Sequence, residues 1–284
     1  MNVKNPKLVK AVIKGDIDKV AGLLASGADA NALDKDGVSA LCWACHLGYT
    51  DIVRLLINHE ADIDLQDSEG LHPIQVALYG AHFDICKILI DSGCDLFVNQ
   101  SGFGLMHASA SVGSMEIGEL LFQKGVALDD IDDGGRTPLH WAVQEGYLDF
   151  CKFLLEHEVR IDAEDVNGFT PFQQSVGEGN CEIVNLLLEN GADVNHVCGK
   201  HGTVLHTAFS YDMSEIIEIL INAGVRFDVK DEDGRYPICY AVHNRHFDTV
   251  RKYVHIYKNI LTAEEMQKLI TMARRKGMHD ISFE

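Results

Sequence analysis

Apolar residues in this chain fall into short helical groups separated by turn residues, and residues 132–164 show the pattern once through. Asp132-Asp133-Gly134-Gly135 is turn chemistry, with glycine available where a positive φ is needed. Thr137 can cap a helix, and Pro138 suits its first turn. Leu139, Ala142 and Val143 then recur at helical spacing, and Gly146 ends that helix. A second helix is predicted over residues 149–157, with Phe150, Cys151, Phe153 and Leu154 on its apolar face. Val159, Arg160, Ile161 and Asp162 lead out as an extended link. The predicted unit is therefore turn, helix, turn, helix, link.

The unit repeats. The slot of His140 recurs at Cys42, Gln75, His107, Gln173, His206 and Cys239, at intervals of 33 residues except for 32 between Gln75 and His107. A second marker keeps the same period at Gly27, Glu60, Gly93, Gly125, Glu158, Gly191 and Gly224. A fixed period of this length means a solenoid of stacked supersecondary units. Two residues beyond the His140 slot stand Ala44, Ala77, Ser109, Ala142, Ser175, Ala208 and Ala241, all small. Small side chains at one helical position let neighbouring helices approach, and a large one would force them apart.

Three features carry a family resemblance: the period, the Asp-x-x-Gly-x-Thr-Pro-Leu-His-x-Ala run from Asp132 to Ala142, and Gly191-Ala192-Asp193-Val194-Asn195. On these the chain resembles ankyrin-repeat proteins over roughly residues 6–281. The resemblance implies an all-α ankyrin-repeat solenoid of stacked helix-turn-helix units with protruding turns. Residues 1–33 are expected to form an N-terminal capping repeat, with Lys7, Lys10, Lys14 and Lys19 giving it a polar face. Residues 34–254 are expected to form seven repeats, with turns near Asp34, Asp67, Asn99, Asp132, Asp165, Cys198 and Asp231. Residues 255–284 are expected to form a C-terminal capping helix or half-repeat of the same continuous solenoid. An insertion around His255 to Leu261 breaks the period, Thr262-Ala263-Glu264-Glu265 reads as a capping box, and the stretch through Gly277 to Asp280-Ile281 resembles the middle of one more repeat. Arg274-Arg275-Lys276 reads as a solvated cap face or as a local site for an acidic partner. Unit three has Gly104-Leu105-Met106-His107 in place of Thr-Pro-Leu-His, and unit six has Cys198-Gly199-Lys200-His201-Gly202, so irregular turns are expected at both.

Charge changes the functional question. The 24 basic and 43 acidic residues give a net charge of −19, which argues against nucleic acid or an anionic membrane as the main partner. It favours a cationic partner, or solubility alone. Eight cysteines lie mostly on apolar faces without disulfide-scaffold spacing. No signal peptide is read at the lysine-bearing start, and no run of 18 apolar residues exists. These point to a reduced, cytoplasmic protein that does not insert into a membrane.

The candidate chemistry is weak. His107, His140 and His206 occupy the family's Thr-Pro-Leu-His slot, where the resemblance implies a buried imidazole bonding turn backbone. His196, Cys198, His201 and His206 lie close in sequence but match no strong zinc spacing. Cys42 and Cys45 form a lone Cys-x-x-Cys inside a helix, without a thioredoxin-like context. No nucleophile elbow, phosphate-cradling loop or carboxylate pair stands out, so neither an enzyme nor a cofactor is expected.

Binding is the stronger reading. In ankyrin-like proteins the turn tips and the exposed faces of the first helices make a continuous concave surface. Carried onto this chain, unit one contributes Lys35, Asp36, Val38, Trp43, His46 and Leu47. Units two to four contribute Glu69, Leu71, Tyr79, Phe103, Arg136, Trp141, Gln144 and Glu145. Units five to seven contribute Phe169, Glu178, Tyr211, Glu232, Asp233, Arg235, Tyr240 and His243. Trp43 and Trp141 are either interface anchors or packing between neighbouring repeats. The expected function is non-catalytic binding of a protein partner with a basic surface on this acidic-aromatic face. Its use would be that of a stand-alone inhibitor or immunity-type protein that neutralises a toxic enzyme, or of an adaptor linking two partners, with a ligand-regulated enzyme a distant third. The residues around Asn195 also resemble the ankyrin context of asparagine hydroxylation; the competing reading has Asn195 bonding the turn.

Overall fold

A computed structural model describes residues 6–279, with Pro6 and Lys200 as backbone alone. Met1 to Asn5 and the Asp280-Ile281 part of the expected C-terminal half-repeat lie outside the described residues. The chain forms two compact units, the first ending at Asp133 and the second starting at Gly134.

The first unit contains α1 (Pro6–Ile13), α2 (Ile17–Ala25), α3 (Ala40–His46), α4 (Thr50–Asn58), α5 (Pro73–Tyr79), α6 (Phe83–Asp91), α7 (Leu105–Val112) and α8 (Met115–Gln123). The first helices α1, α3, α5 and α7 pack in one row, and the second helices α2, α4, α6 and α8 pack in another. The second unit repeats the plan. Its α9 (Pro138–Gln144), α11 (Pro171–Glu178), α13 (Val204–Ser210), α15 (Pro237–Asn244) and α17 (Ala263–Lys276) form the first row. Helices α10 (Leu148–Glu156), α12 (Cys181–Glu189) and α14 (Ser214–Asn222) form the second, and α16 (Phe247–Tyr257) pairs with α15.

Helices of seven to nine residues are marginal alone in water, so packing must hold them. Leu139, Val143, Phe150, Cys151 and Leu154 are buried as the periodicity requires. The helix expected over residues 149–157 starts one residue earlier, at Leu148, and ends at Glu156 with His157 as its C-cap. The small-residue slot is wholly buried, from Ala44 to Ala241. The second marker sets the helix exits. Gly27 at φ 85° and Gly191 at φ 89° end α2 and α12 in the left-handed region. Glu60 (φ 62°) and Glu158 (φ 56°) take the same conformation with a side chain, at a cost of about 1–2 kcal/mol each.

The two expected irregular turns are both distinct. Unit three carries a two-stranded antiparallel hairpin, β1 (Asn99–Gln100) with β2 (Phe103–Gly104), a small exception to the all-helical pattern. Its turn residues Ser101 and Gly102 have φ 54° and 73°, as a primed two-residue turn demands. A Cβ on Gly102 would lie 2.6 Å from the Ile131 carbonyl oxygen, so glycine is needed there for space as well as for φ. Unit six closes with a single 3-10 turn, Gly199–His201, under a bridge between Cys198 and Gly202.

At the C-terminal end, α16 runs 11 residues against nine in α14, and only residues 258–262 separate it from α17 where residues 223–236 separate α14 from α15, so the period breaks. The expected capping box is present: Thr262 Oγ1 accepts the Glu265 N–H (3.3 Å) and Glu265 Oε2 accepts the Thr262 N–H (2.8 Å). All eight cysteines carry free thiols. Among the described residues no helix is long and apolar enough to cross a membrane.

Ala142→Leu is expected to destabilise the protein by about 1–3 kcal/mol through overpacking of a fully buried slot. A urea midpoint equal to that of the unaltered protein would show the slot to be yielding.

Candidate functional site

In α9, α11 and α13 the side chain three residues after the cap holds two turns at once. His206 Nδ1 accepts the backbone N–H of Thr203, its own N-cap, at 3.0 Å. Its Nε2 donates to the Arg235 carbonyl in the next turn at 3.1 Å. His140 does the same between Thr137 (3.1 Å) and Phe169 (3.1 Å). Gln173 reproduces the bridge with an amide: Oε1 accepts from Thr170 N–H (3.2 Å) and Nε2 donates to Gly202 O (3.5 Å). The bridge needs one acceptor and one donor, which a neutral imidazole and an amide both offer. Burial holds the His206 imidazole below its usual 6.5, so it stays neutral. These histidines are structural.

The turns themselves hang on an aspartate. Asp34 Oδ1 accepts the N–H groups of Asp36 (2.8 Å) and Val38 (2.9 Å). Asp67 and Asp165 make the same pair of bonds to Glu69 and Leu71, and to Asn167 and Phe169. The second oxygen is used differently from unit to unit. Asp34 Oδ2 accepts the Trp43 indole N–H at 2.9 Å. Asp231 Oδ2 accepts the Tyr240 hydroxyl (2.7 Å) and Arg235 Nε (2.9 Å). Burial pushes both carboxyls up, but these bonds outweigh it and hold both below the usual carboxylate range.

Two grooves lie between the turns and the first helices, one in each compact unit. The first, of about 410 Å³, brings together Val38, Trp43, His46, Glu69, Leu71 and Tyr79 of the expected surface, with Asp67, Val76, Cys42 and Gly80 completing it. The second, of about 490 Å³, brings together Arg136, Gln144, Phe169, Glu178, Tyr211 and Tyr240, with Asp165, Gln174, His201 and Thr207 among its other walls. Tyr79 and Tyr211 are large exposed rings, 45% and 68% accessible.

The other expected residues lie outside the grooves. Lys35 and Asp36 pair with each other at 3.8 Å on the tip of turn one. Leu47 caps the C-terminus of α3, Phe103 sits in β2 against the His107 ring, and Glu145 accepts from Gln144. The Arg136 guanidinium lies 3.9 Å over the Trp141 ring. Arg235 is held by Asp231 and Asp233, Glu232 reaches toward Gly199, and His243 bonds Asn244. The two tryptophans are both half-buried, and the Trp43 indole is tied to the turn of its own unit.

The remaining candidates are occupied by structure. His196 Nε2 contacts the Gly168 carbonyl (3.2 Å), and Cys198 Sγ the Asn167 carbonyl (3.2 Å). Burial pushes the Cys42 thiol up to about 11 and Cys45 well above its usual value, which disfavours the reactive thiolate. Asn195 does not bond its own turn: its Oδ1 accepts the Arg226 N–H of the following unit at 2.7 Å. Residues that sequence reasoning missed, Asp67, Val76, Asp165 and Gln174, sit at fixed offsets from the turns, and the alternation at those offsets was the available signal.

Stacked helix pairs with protruding turns and open grooves, and no grouping of His, Cys, Asp and Glu able to hold a metal among the described residues, define a repeat scaffold for binding. A family model described as ankyrin repeats matches three times, over residues 8–100, 105–198 and 175–260. The chain belongs to the ankyrin-repeat family, and its repeats are a protein–protein interaction module of a typically non-catalytic kind.

His206→Gln, which copies Gln173, is expected to cost less than about 1 kcal/mol, and His206→Ala about 2–4 kcal/mol by stranding both backbone partners. Because the folded pKa of His206 is depressed, its share of stability is present above 6.5 and is lost as pH falls below it. Urea midpoints from about pH 7.5 to about pH 5 should therefore drop further for the unaltered protein than for His206→Gln.

Proposed function

We propose that this protein binds a basic segment of a protein partner in the two grooves. One observation carries the reading. Asp67, Glu69, Asp165 and Glu178 line the grooves without an ion-pair partner among the described residues, beside exposed tyrosines. Some acids outside the grooves are matched, as in Lys87–Glu116, Lys252–Glu218 and Arg235–Asp231. Aromatic rings beside unpaired carboxylates are suited to a cationic, partly apolar segment. The net charge of −19 would steer such a partner during approach.

Two uses follow from the groove in each compact unit. A single partner filling both would have its basic surface covered, and a toxic enzyme that works through that surface would be inhibited. Two partners, each in one groove, would be linked, which is the adaptor use.

Capture from native lysate, followed by binding kinetics of single variants, tests the proposal. Trp43→Ala or Tyr211→Ala should weaken binding by about 2 kcal/mol, and the tip residue Glu232→Ala by less than about 1 kcal/mol. Added salt should slow association. Binding abolished by changes on the second-helix rows, and indifferent to both groove residues, would place the interface elsewhere.

A further inference from the structure

The turn of unit seven is a worked example of how this chain holds a guanidinium. Arg235 Nε donates to Asp231 Oδ2 at 2.9 Å, and its Nη2 lies 2.5 Å from Asp233 Oδ2. The guanidinium carbon lies 4.9 Å from the centre of the Tyr240 ring. Two carboxylates two residues apart grip the fork, and an aromatic face supports it.

Unit two has the same carboxylates and lacks the arginine. Asp67 and Glu69 stand where unit seven has Asp231 and Asp233, and Leu71 stands in the place of Arg235. Nine residues after the turn aspartate, where units one and seven place Trp43 and Tyr240, unit two has Val76. Valine has no donor to offer. Asp67 Oδ1 is used by the turn, and among the described residues no donor reaches Oδ2. The short Val76 side chain also opens the groove of about 410 Å³, walled by Trp43, Leu71 and Tyr79. No lysine or arginine lines it.

We propose that this groove is a site for one arginine side chain of a protein partner, whose guanidinium takes the place that Arg235 fills in unit seven. The fork meets Asp67 and Glu69, and the stem lies along Leu71 and Val76 beside the Trp43 and Tyr79 rings. This rests on the proposed function and adds the identity of one anchor. Lysine fits less well, since a compact ammonium cannot span two carboxylates as a planar fork does.

The probes are capped Gly-Arg-Gly tripeptides, and the same peptides with lysine or citrulline at the centre, titrated into the full chain while amide and indole resonances are followed. The arginine peptide should shift the Trp43 indole N–H and the Glu69 and Leu71 amides saturably. Its affinity should exceed that of the lysine peptide by about fivefold or more, with no saturation by the neutral citrulline peptide. Asp67→Asn keeps an Oδ1 acceptor for the turn N–H groups and should weaken arginine binding by about fivefold or more. Val76→Trp should block the site by filling it and supplying the missing donor. Equal binding of lysine and arginine, unchanged binding by both variants, or no saturable shift overturns the proposal. A natural partner that depends on Trp43 and Tyr79 but ignores Asp67→Asn and Val76→Trp would overturn the arginine site while leaving the groove as the binding face.

Discussion

The hydrogen-bonded bridge at the start of the central first helices governs much of the rest. Its residue must accept from the backbone N–H of its own helix cap and donate to a carbonyl one turn further on, as His140 and His206 do. Both backbone groups are shielded from water, so losing either bond leaves a buried polar group unmet. That is why histidine and glutamine exchange in the slot from Gln75 to His206, since they share little except a donor and an acceptor at the right separation, while the outer units carry Cys42 and Cys239. Once the bridge is made, the position of each turn is set by the helix before it. The grooves between turns and helices then become features of fixed width.

A second ladder runs along the links. Asn31 accepts from Asp62 N–H (2.7 Å), Asp64 from Asp95 N–H (2.9 Å), Asp162 from Asp193 N–H (3.1 Å) and Asn195 from Arg226 N–H (2.7 Å). These bonds are more exposed than the histidine bridges and each is worth less. Their regular register still accounts for many of the aspartates that a reader of the sequence could mistake for catalytic or metal-binding groups. It also explains why Asn195 is turned toward the following unit.

The fold was legible because its determinants are local and periodic. Glycine at the helix exits, threonine and proline at the helix starts, and a small residue in the packing slot each act within one unit and recur in the next. The grooves were legible only in part. Trp43, Tyr79 and Tyr211 were placed from the family resemblance, and each lines a groove. Whether a ring caps its own turn or opens to solvent depends on the residue nine positions after the turn aspartate. Val76 at that position, with no polar atom and no aromatic face, carries no sequence signal of a site, yet it lines the groove. Arg136 and Arg235 were read as partner-binding, but each is engaged within its own unit, over Trp141 and between Asp231 and Asp233. Pairing of this kind is set by side-chain reach and is not visible in a one-dimensional pattern. The hairpin of unit three was anticipated only as an irregularity, since Ser101 gives little hint of its left-handed backbone.

Glutamate at two of the helix exits has a consequence for how the chain opens. In a stack whose stability is a sum over neighbouring units, opening begins at the weakest joint and spreads from there. Glu60 and Glu158 hold a backbone conformation that glycine adopts freely, so the ends of α4 and α10 carry strain that the exits of α2 and α12 do not. Among the second-helix exits of each compact unit, one therefore carries strain that its siblings lack. Transient local unfolding, and with it access for proteases or for exchange of backbone protons, would be favoured near these glutamates and near Ala81, Asp212 and Arg245, which hold the same conformation at the ends of first helices. A repeat architecture that looks uniform is in this respect graded, with its breaking points set by single residues.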